Sequence, residues 1–207
     1  MLVSYSKKFI FVHIFKTAGT SIVESLRRHC YRPGSMRPSN WRAFLCTRWN
    51  KIHRTPLKKH ATALDAKAAL HPSVFEGFFK FSFVRNPWDW QVSLYHYILD
   101  HPENHGHEAT KAMGSFRNFV LSRMESGFTQ TGCLVDGKGA LLVDFVGRFE
   151  NLESDFSEVC RRIGVSAGLP HTNKSARTGY RDYYDAETRG LTARLYAADI
   201  ERFGYAF

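Results

Sequence analysis

"FIFVHIFKTAGTSIVESL", residues 9–26, sets the reading of the whole chain. An apolar run of strand character ends at Ile14; Lys16, Gly19 and three hydroxyl residues, Thr17, Thr20 and Ser21, follow, and a helical pattern then begins. A strand that turns through small residues into a helix aims backbone N–H groups at one spot, and the helix dipole adds positive charge there. Such a spot favours phosphate or a related oxyanion. Gly19 lets the backbone come close, the hydroxyls can donate, and Lys16 brings a full charge. The plain alternative is a capped helix after a strand, with Lys16 in solvent.

The order of residues separates this loop from that of nucleoside triphosphatases, GxxxxGK[ST], in which lysine stands directly before a Ser or Thr that binds Mg²⁺. Here Lys16 precedes Gly19, and no G-K-[ST] occurs in the chain. "ALLVD", 140–144, has the outline of a strand ending in a metal-binding aspartate, but the run continues as "FVGRF", so Asp144 reads as structural. The expected ligand is an anionic nucleotide held without an obligatory metal.

Working outward, a strand at about 8–14 leads to a helix at about 20–31 and an irregular basic segment, 32–59. A helix near 62–70 precedes "FFKFSFVR", 78–85, an apolar-aromatic run suited to a strand buried on both faces. Asn86 and Pro87 then mark a helix start. Arg85 stands at the strand's carboxyl end, and Ser93 lies about 9 Å along that helix, so one phosphate on its flank could bond both. A helix over "SFRNFVLSRM", a hairpin turn at Asp136-Gly137, a capped helix over "NLESDFSEVCRRIG" and one last helix in "DAETRGLTARLYAADIERFG" complete the chain. Strands alternating with helices predict an α/β, three-layer single domain over 1–207, a central parallel sheet with helices on both faces. Ligands then sit beyond the carboxyl ends of the strands, where the loops at 15–21 and 85–93 fall.

Composition narrows the classes. With 207 residues, 17 Phe, 9 Tyr and 4 Trp, the chain can build a core and is not disordered. No apolar stretch approaches the roughly 20 residues of a membrane span. The N-terminal segment, interrupted by Lys7 and Lys8, reads as a first strand and not a signal peptide, so a cytoplasmic protein is expected. Cys30, Cys46, Cys133 and Cys160 form no CxxC pair, which points to reduced thiols and away from zinc. The net charge of +10 is uneven: no acidic residue stands between Glu24 and Asp65. Such a field draws anions, whether an acidic acceptor or a nucleic acid.

The two loops also carry a resemblance. "FVHIFKTAGTS" and "FVRNPWDWQVSLYHY" resemble the paired nucleotide-binding signatures of sulfotransferases that use 3′-phosphoadenosine 5′-phosphosulfate (PAPS), most closely the carbohydrate, heparan 2-O-type branch and its bacterial relatives. The likeness continues through "GRFENLESDFSEVCRRIGV", "LPHTNKSARTGYRDYY" and "DIERFGY", and is poorest over 32–59. It implies a P-loop-NTPase-like fold and transfer of a sulfuryl group to a carbohydrate-like hydroxyl. It further implies that Lys16, Thr17, Ala18, Gly19, Thr20 and Ser21 grip the 5′-phosphosulfate and Arg85 and Ser93 the 3′-phosphate. Lys174, Ser175 or Arg177 would close over the 3′ side. The family usually has proline where Phe15 stands and arginine where Trp90 stands.

A general base is then needed, and catalytic roles fall to Lys16, at the leaving group, and His60. His60 precedes a helix, matches a histidine of the resembled family, and has Lys58 and Lys59 beside it to keep it neutral. His13 is the alternative base, although its place within the strand suits a structural role. His101, His105 and His107 match no zinc spacing, and Tyr180, Tyr183 and Tyr184 suit a sugar, an adenine or the core. A P-loop kinase or NTPase and a basic nucleic-acid-binding module are the competing classes.

Overall fold

The computed structural model describes residues 1–30, 57–124, 126–170 and 179–207. These form two compact units, residues 1–84 with 132–170, and residues 85–131 with 179–207. Most of the basic segment 32–59, and the trio Lys174, Ser175 and Arg177, lie outside the described residues.

The first unit is built on a four-stranded sheet, β1 (Leu2–Ser4), β2 (Phe9–Val12), β3 (Phe79–Val84) and β4 (Phe145–Arg148), paired in that order. β2, β3 and β4 are parallel, with Phe11 opposite Phe81 and Phe81 opposite Phe145. β1 is antiparallel to β2. The central strands form the expected parallel sheet, and β1 adds an antiparallel edge that makes it mixed: the chain reverses in a tight turn, with Lys8 at φ 51°, a link only antiparallel neighbours can use.

Strand alternation sorts the side chains into two layers. Phe9, Phe11, Phe81 and Phe83 share one face and pack with Ile22 and Leu26 of α1 (Gly19–Leu26). Phe156, Val159, Cys160 and Ile163 of the long helix Leu152–Ile163 complete that core. Ile10 takes the other face, with Ala66 of α2 (Ala63–Ala69) and Val74 and Phe75 of α3 (Pro72–Gly77). Helices thus cover both faces, as a three-layer arrangement requires. A Cβ on Gly147 would lie 2.5 Å from the Phe83 ring opposite it, so only glycine fits there.

Local signals account for the boundaries. Thr62 and Asp65 form a reciprocal capping box at the start of α2. Gly164, at φ 63°, ends the Leu152–Ile163 helix as expected. The predicted hairpin is instead a single bridge, Val135 with Leu141, around a loop in which Asp136 Oδ1 accepts the N–H groups of Lys138 and Ala140, each at 2.9 Å. Those side-chain bonds replace the two-residue turn.

In the second unit, α4 (Pro87–Leu99) starts as expected: Asn86 Oδ1 accepts the Trp88 N–H at 3.1 Å and Pro87 is the first helical residue. α5 (His107–Ala112) and α6 (Phe116–Arg123) follow. The chain between β4 and the unit's last segment supplies α7 (Leu152–Ile163) of the first unit, described above. The expected single tail helix is two, α8 (Ala186–Leu195) and α9 (Ala197–Phe203). The break falls at Tyr196, fully buried, whose ring meets Trp90 at 5.7 Å and whose hydroxyl bonds Gln91. Anchoring that large side chain outweighs helical continuity. Trp90, also fully buried, stacks on Phe128, so the residue standing in arginine's place is core.

Candidate active site

β2 feeds α1 through residues 13–18, the loop picked out by its sequence. Lys16 (φ 63°) and Ala18 (φ 64°) both adopt the left-handed conformation, which costs a non-glycine residue about 1–3 kcal/mol. Backbone of this kind turns successive N–H groups inward. Ala18 is the N-cap of α1 and no side chain caps the helix. The first-turn donors of α1 therefore have no side-chain acceptor from the capping position, as suits an anion site. The Thr17 hydroxyl, fully buried, donates to the Ile14 carbonyl at 2.8 Å and braces the loop from inside. Thr20 is exposed and Ser21 buried.

Gly19 has a packing purpose besides the close approach of a ligand expected of it. Its φ is not positive, and a Cβ there would stand 2.0 Å from both Cδ2 and Nε2 of His13. The glycine makes room for the His13 ring, which lies under the start of α1. His13 is 4% exposed, stacks on Phe11 at 5.6 Å, and its Nδ1 is buried without a partner among the described residues. Burial first, and then the neighbouring His60, push its pKa down to about 3. It is a neutral, packed ring.

His60 sits beside it, with ring centroids 4.7 Å apart and Phe15 edge-on at 5.9 Å. His60 Nδ1 lies 3.0 Å from the His13 carbonyl oxygen. A carbonyl only accepts, so Nδ1 carries the proton and Nε2 the lone pair. His60 is an exposed residue, yet the partial burial of its ring against His13 and Phe15, the largest cause, lowers its pKa; the bond to His13 opposes this, and Lys59 lowers it further. The neutral tautomer with a basic Nε2 is the form that can take a proton. Lys59 acts as the sequence suggested, but burial outweighs it.

In the second unit, Arg85 is buried and its Nε donates to Asp89 Oδ2 at 2.7 Å. Asp89 is four residues beyond Arg85, and Ser93 four beyond Asp89, so the three follow one flank of α4. Asp89 thus orients a guanidinium fork of the planar kind that suits phosphate. Ser93 is half-buried, and its hydroxyl has no hydrogen bond among the described residues. The Arg85 main chain is gripped as well: its N–H donates to Gln130 Oε1 at 2.9 Å, and Gln130 Nε2 donates to its carbonyl at 2.8 Å. Neither Gln130 nor Asp89 was singled out by sequence. The i, i+4 spacing from Arg85 could have revealed Asp89; nothing local marks Gln130.

The remaining candidates are occupied elsewhere. His101 and His107 bond the carbonyls of Tyr97 and Ile98, and no cluster of potential metal ligands occurs among the described residues. Tyr183 bonds His96, Tyr184 bonds the Trp88 carbonyl, and Tyr180 meets Phe207 edge-on, so this trio packs with its own unit. Asp144 stands before β4, at the amino end of the parallel strands, paired with Lys80 Nζ at 3.0 Å. A metal-binding aspartate of a triphosphatase would stand at the carboxyl end.

Sheet, covering helices and strand–loop–helix together define an α/β protein whose β2–α1 loop has the build of an anion cradle. The profile described as "Sulfotransferase family" matches residues 1–206, and the chain belongs to that family. It is a sulfotransferase, an enzyme of sulfuryl transfer. An uncharacterized protein of Archaeoglobus fulgidus is 36% identical over 113 residues, covering 52% of this chain and 87% of that protein. A crystal structure of mouse sulfotransferase SULT7A1 complexed with PAP aligns over 96% of this chain and 86% of its own, with a TM-score of 0.48 and 13% identity. No helix of the described residues is long and apolar enough to cross a membrane.

Proposed function

We propose that the donor is PAPS, that its 5′-phosphosulfate binds residues Lys16 to Ser21 and its 3′-phosphate Arg85 and Ser93, and that the acceptor is a carbohydrate-like hydroxyl. Support comes chiefly from the start of α1, where a lysine in left-handed conformation meets a helix with no side-chain cap. Lys174, Ser175 and Arg177 join the 3′ side in this reading. When bound, PAPS supplies the sulfuryl group, with its bridging phosphate oxygen as the leaving atom.

The chain's own residues then divide the work. Lys16 and the α1 amides hold negative charge on the departing phosphate oxygen. His60 Nε2 takes the acceptor hydroxyl's proton as the new S–O bond forms, a role worth about 10²–10⁴-fold. The His13 carbonyl holds His60 in the competent tautomer. His13 itself, packed under Gly19, has no room to act as the base. Arg27, Arg28, Lys58 and Lys59 are exposed, and the excess of positive charge in this part of the sequence favours an anionic acceptor chain.

The test is turnover of radiolabelled PAPS, with chelator present, across polysaccharides, glycolipids and small alcohols. Label on a polysaccharide is expected; a strict need for Mg²⁺ and ATP would overturn the reading. His60→Ala should abolish turnover and leave binding of adenosine 3′,5′-bisphosphate intact, whereas a fully active variant removes His60 from the mechanism.

A further inference from the structure

Gln130 and Asp199 do nothing in the reaction described so far, yet both are fully buried. A buried side-chain amide is costly unless both of its ends are bonded. Gln130 satisfies both ends on one residue, receiving the Arg85 N–H and donating to the Arg85 carbonyl. The pair mimics a strand partner at the point where the chain leaves β3. Gln130 is fixed in turn, since its N–H donates to Asp199 Oδ2 at 2.9 Å and the Thr131 N–H to Oδ1 at 2.6 Å. Asp199 keeps this place although burial pushes its pKa up. A carboxylate committed to two adjacent main-chain donors holds the Gln130 backbone in one orientation, and the amide passes that orientation to Arg85.

We propose that Gln130, held by Asp199, is a positioning residue for Arg85 and thereby sets the preference for a nucleotide bearing a 3′-phosphate. The inference rests on the assignment of Arg85 to that phosphate. A guanidinium fork delivers two aligned bonds only if its root is fixed, and a shift of about 1 Å can cost as much as 10²-fold. Asp89 sets the plane of the fork; Gln130 sets where it starts.

The experiment is calorimetric binding of adenosine 3′,5′-bisphosphate and of adenosine 5′-phosphate, which lacks the 3′ group, to the full chain. Gln130→Met keeps the volume and removes both bonds. It should weaken the bisphosphate about tenfold, 1.4 kcal/mol, leave the monophosphate within about twofold, and add little to Arg85→Ala. Gln130→Glu gives a second readout. Its carboxylate faces the Arg85 carbonyl without a donor, but the protonated acid donates again. The preference for the bisphosphate should therefore recover on acidification, relative to wild type at each pH, which a merely structural role would not produce. Equal weakening of both nucleotides by Gln130→Met, no weakening, or a Gln130→Glu preference that tracks wild type with pH, overturns the clamp. If Arg85→Ala shifts the preference while the Gln130 variants do not, the clamp alone fails. An unchanged preference in Arg85→Ala overturns the parent assignment and the clamp with it.

Discussion

Substituting Gly19 by alanine tests the junction between the loop and the proposed base. The added Cβ would lie 2.0 Å from two atoms of the His13 ring, and 2.9 Å from a third. The ring cannot yield outward, being 4% exposed, stacked on Phe11 at 5.6 Å and flanked by His60 at 4.7 Å. Overpacking of a buried site costs about 1–3 kcal/mol. For a chain of this size each kcal/mol is worth about 2–4 °C in Tm, so a fall of about 2–12 °C is expected by thermal unfolding. Turnover should fall further than stability implies, because displacing His13 also moves the carbonyl that holds His60 Nδ1. The double variant Gly19→Ala/His13→Ala removes the obstacle and should regain affinity for adenosine 3′,5′-bisphosphate relative to Gly19→Ala. If the glycine were instead needed for close approach of the ligand, the double variant would bind no better. A Gly19→Ala protein with wild-type Tm and turnover refutes the reasoning outright.

Two other outcomes follow from the site. As the proposed base His60 would work deprotonated, and its pKa is lowered by burial; kcat/KM should therefore hold at neutral pH and fall on acidification with a midpoint below the ordinary histidine value of about 6.5, and a midpoint at or above that value excludes His60 as the base. Lys16→Ala should reduce kcat by more than it weakens nucleotide binding, as measured by single-turnover kinetics and calorimetry, since charge at the leaving oxygen matters most in the transition state; equal losses would make Lys16 a binding residue only.

The paired strands and most helices were legible because their signals are local. Phe9 and Phe11 alternate with Ile10, Asn86-Pro87 is a start signal that needs no tertiary context, and Gly164 stops a helix. The signals that failed depend on partners far away in sequence. Tyr196 breaks the tail helix because Trp90 and Gln91, more than a hundred residues earlier, claim its ring and hydroxyl. The packing demand on Gly19 was hidden as well, because no pattern in the chain says that the His13 ring folds beneath it. The direction of β1 was likewise hidden, since alternation fixes a strand's faces and not its polarity. Residue types marked Lys16, Arg85 and His60 as candidates; of the groups bonded to the latter two, Asp89 is legible from its i, i+4 spacing, whereas Gln130 and the His13 carbonyl emerge only from the fold.

The left-handed Lys16 and Ala18 have a kinetic implication. Glycines at these two places would let the loop sample many shapes, and each encounter with a nucleotide would then include a search among them. Side-chain-bearing residues narrow that ensemble but disfavour the left-handed shape itself. The loop keeps it because the buried Thr17 hydroxyl and the packed His13 ring over-determine it, so little ordering remains to be done on arrival. Capture should accordingly run near the electrostatically assisted encounter rate and slow steeply as salt is added, and differences in affinity among nucleotides should surface in how fast they leave.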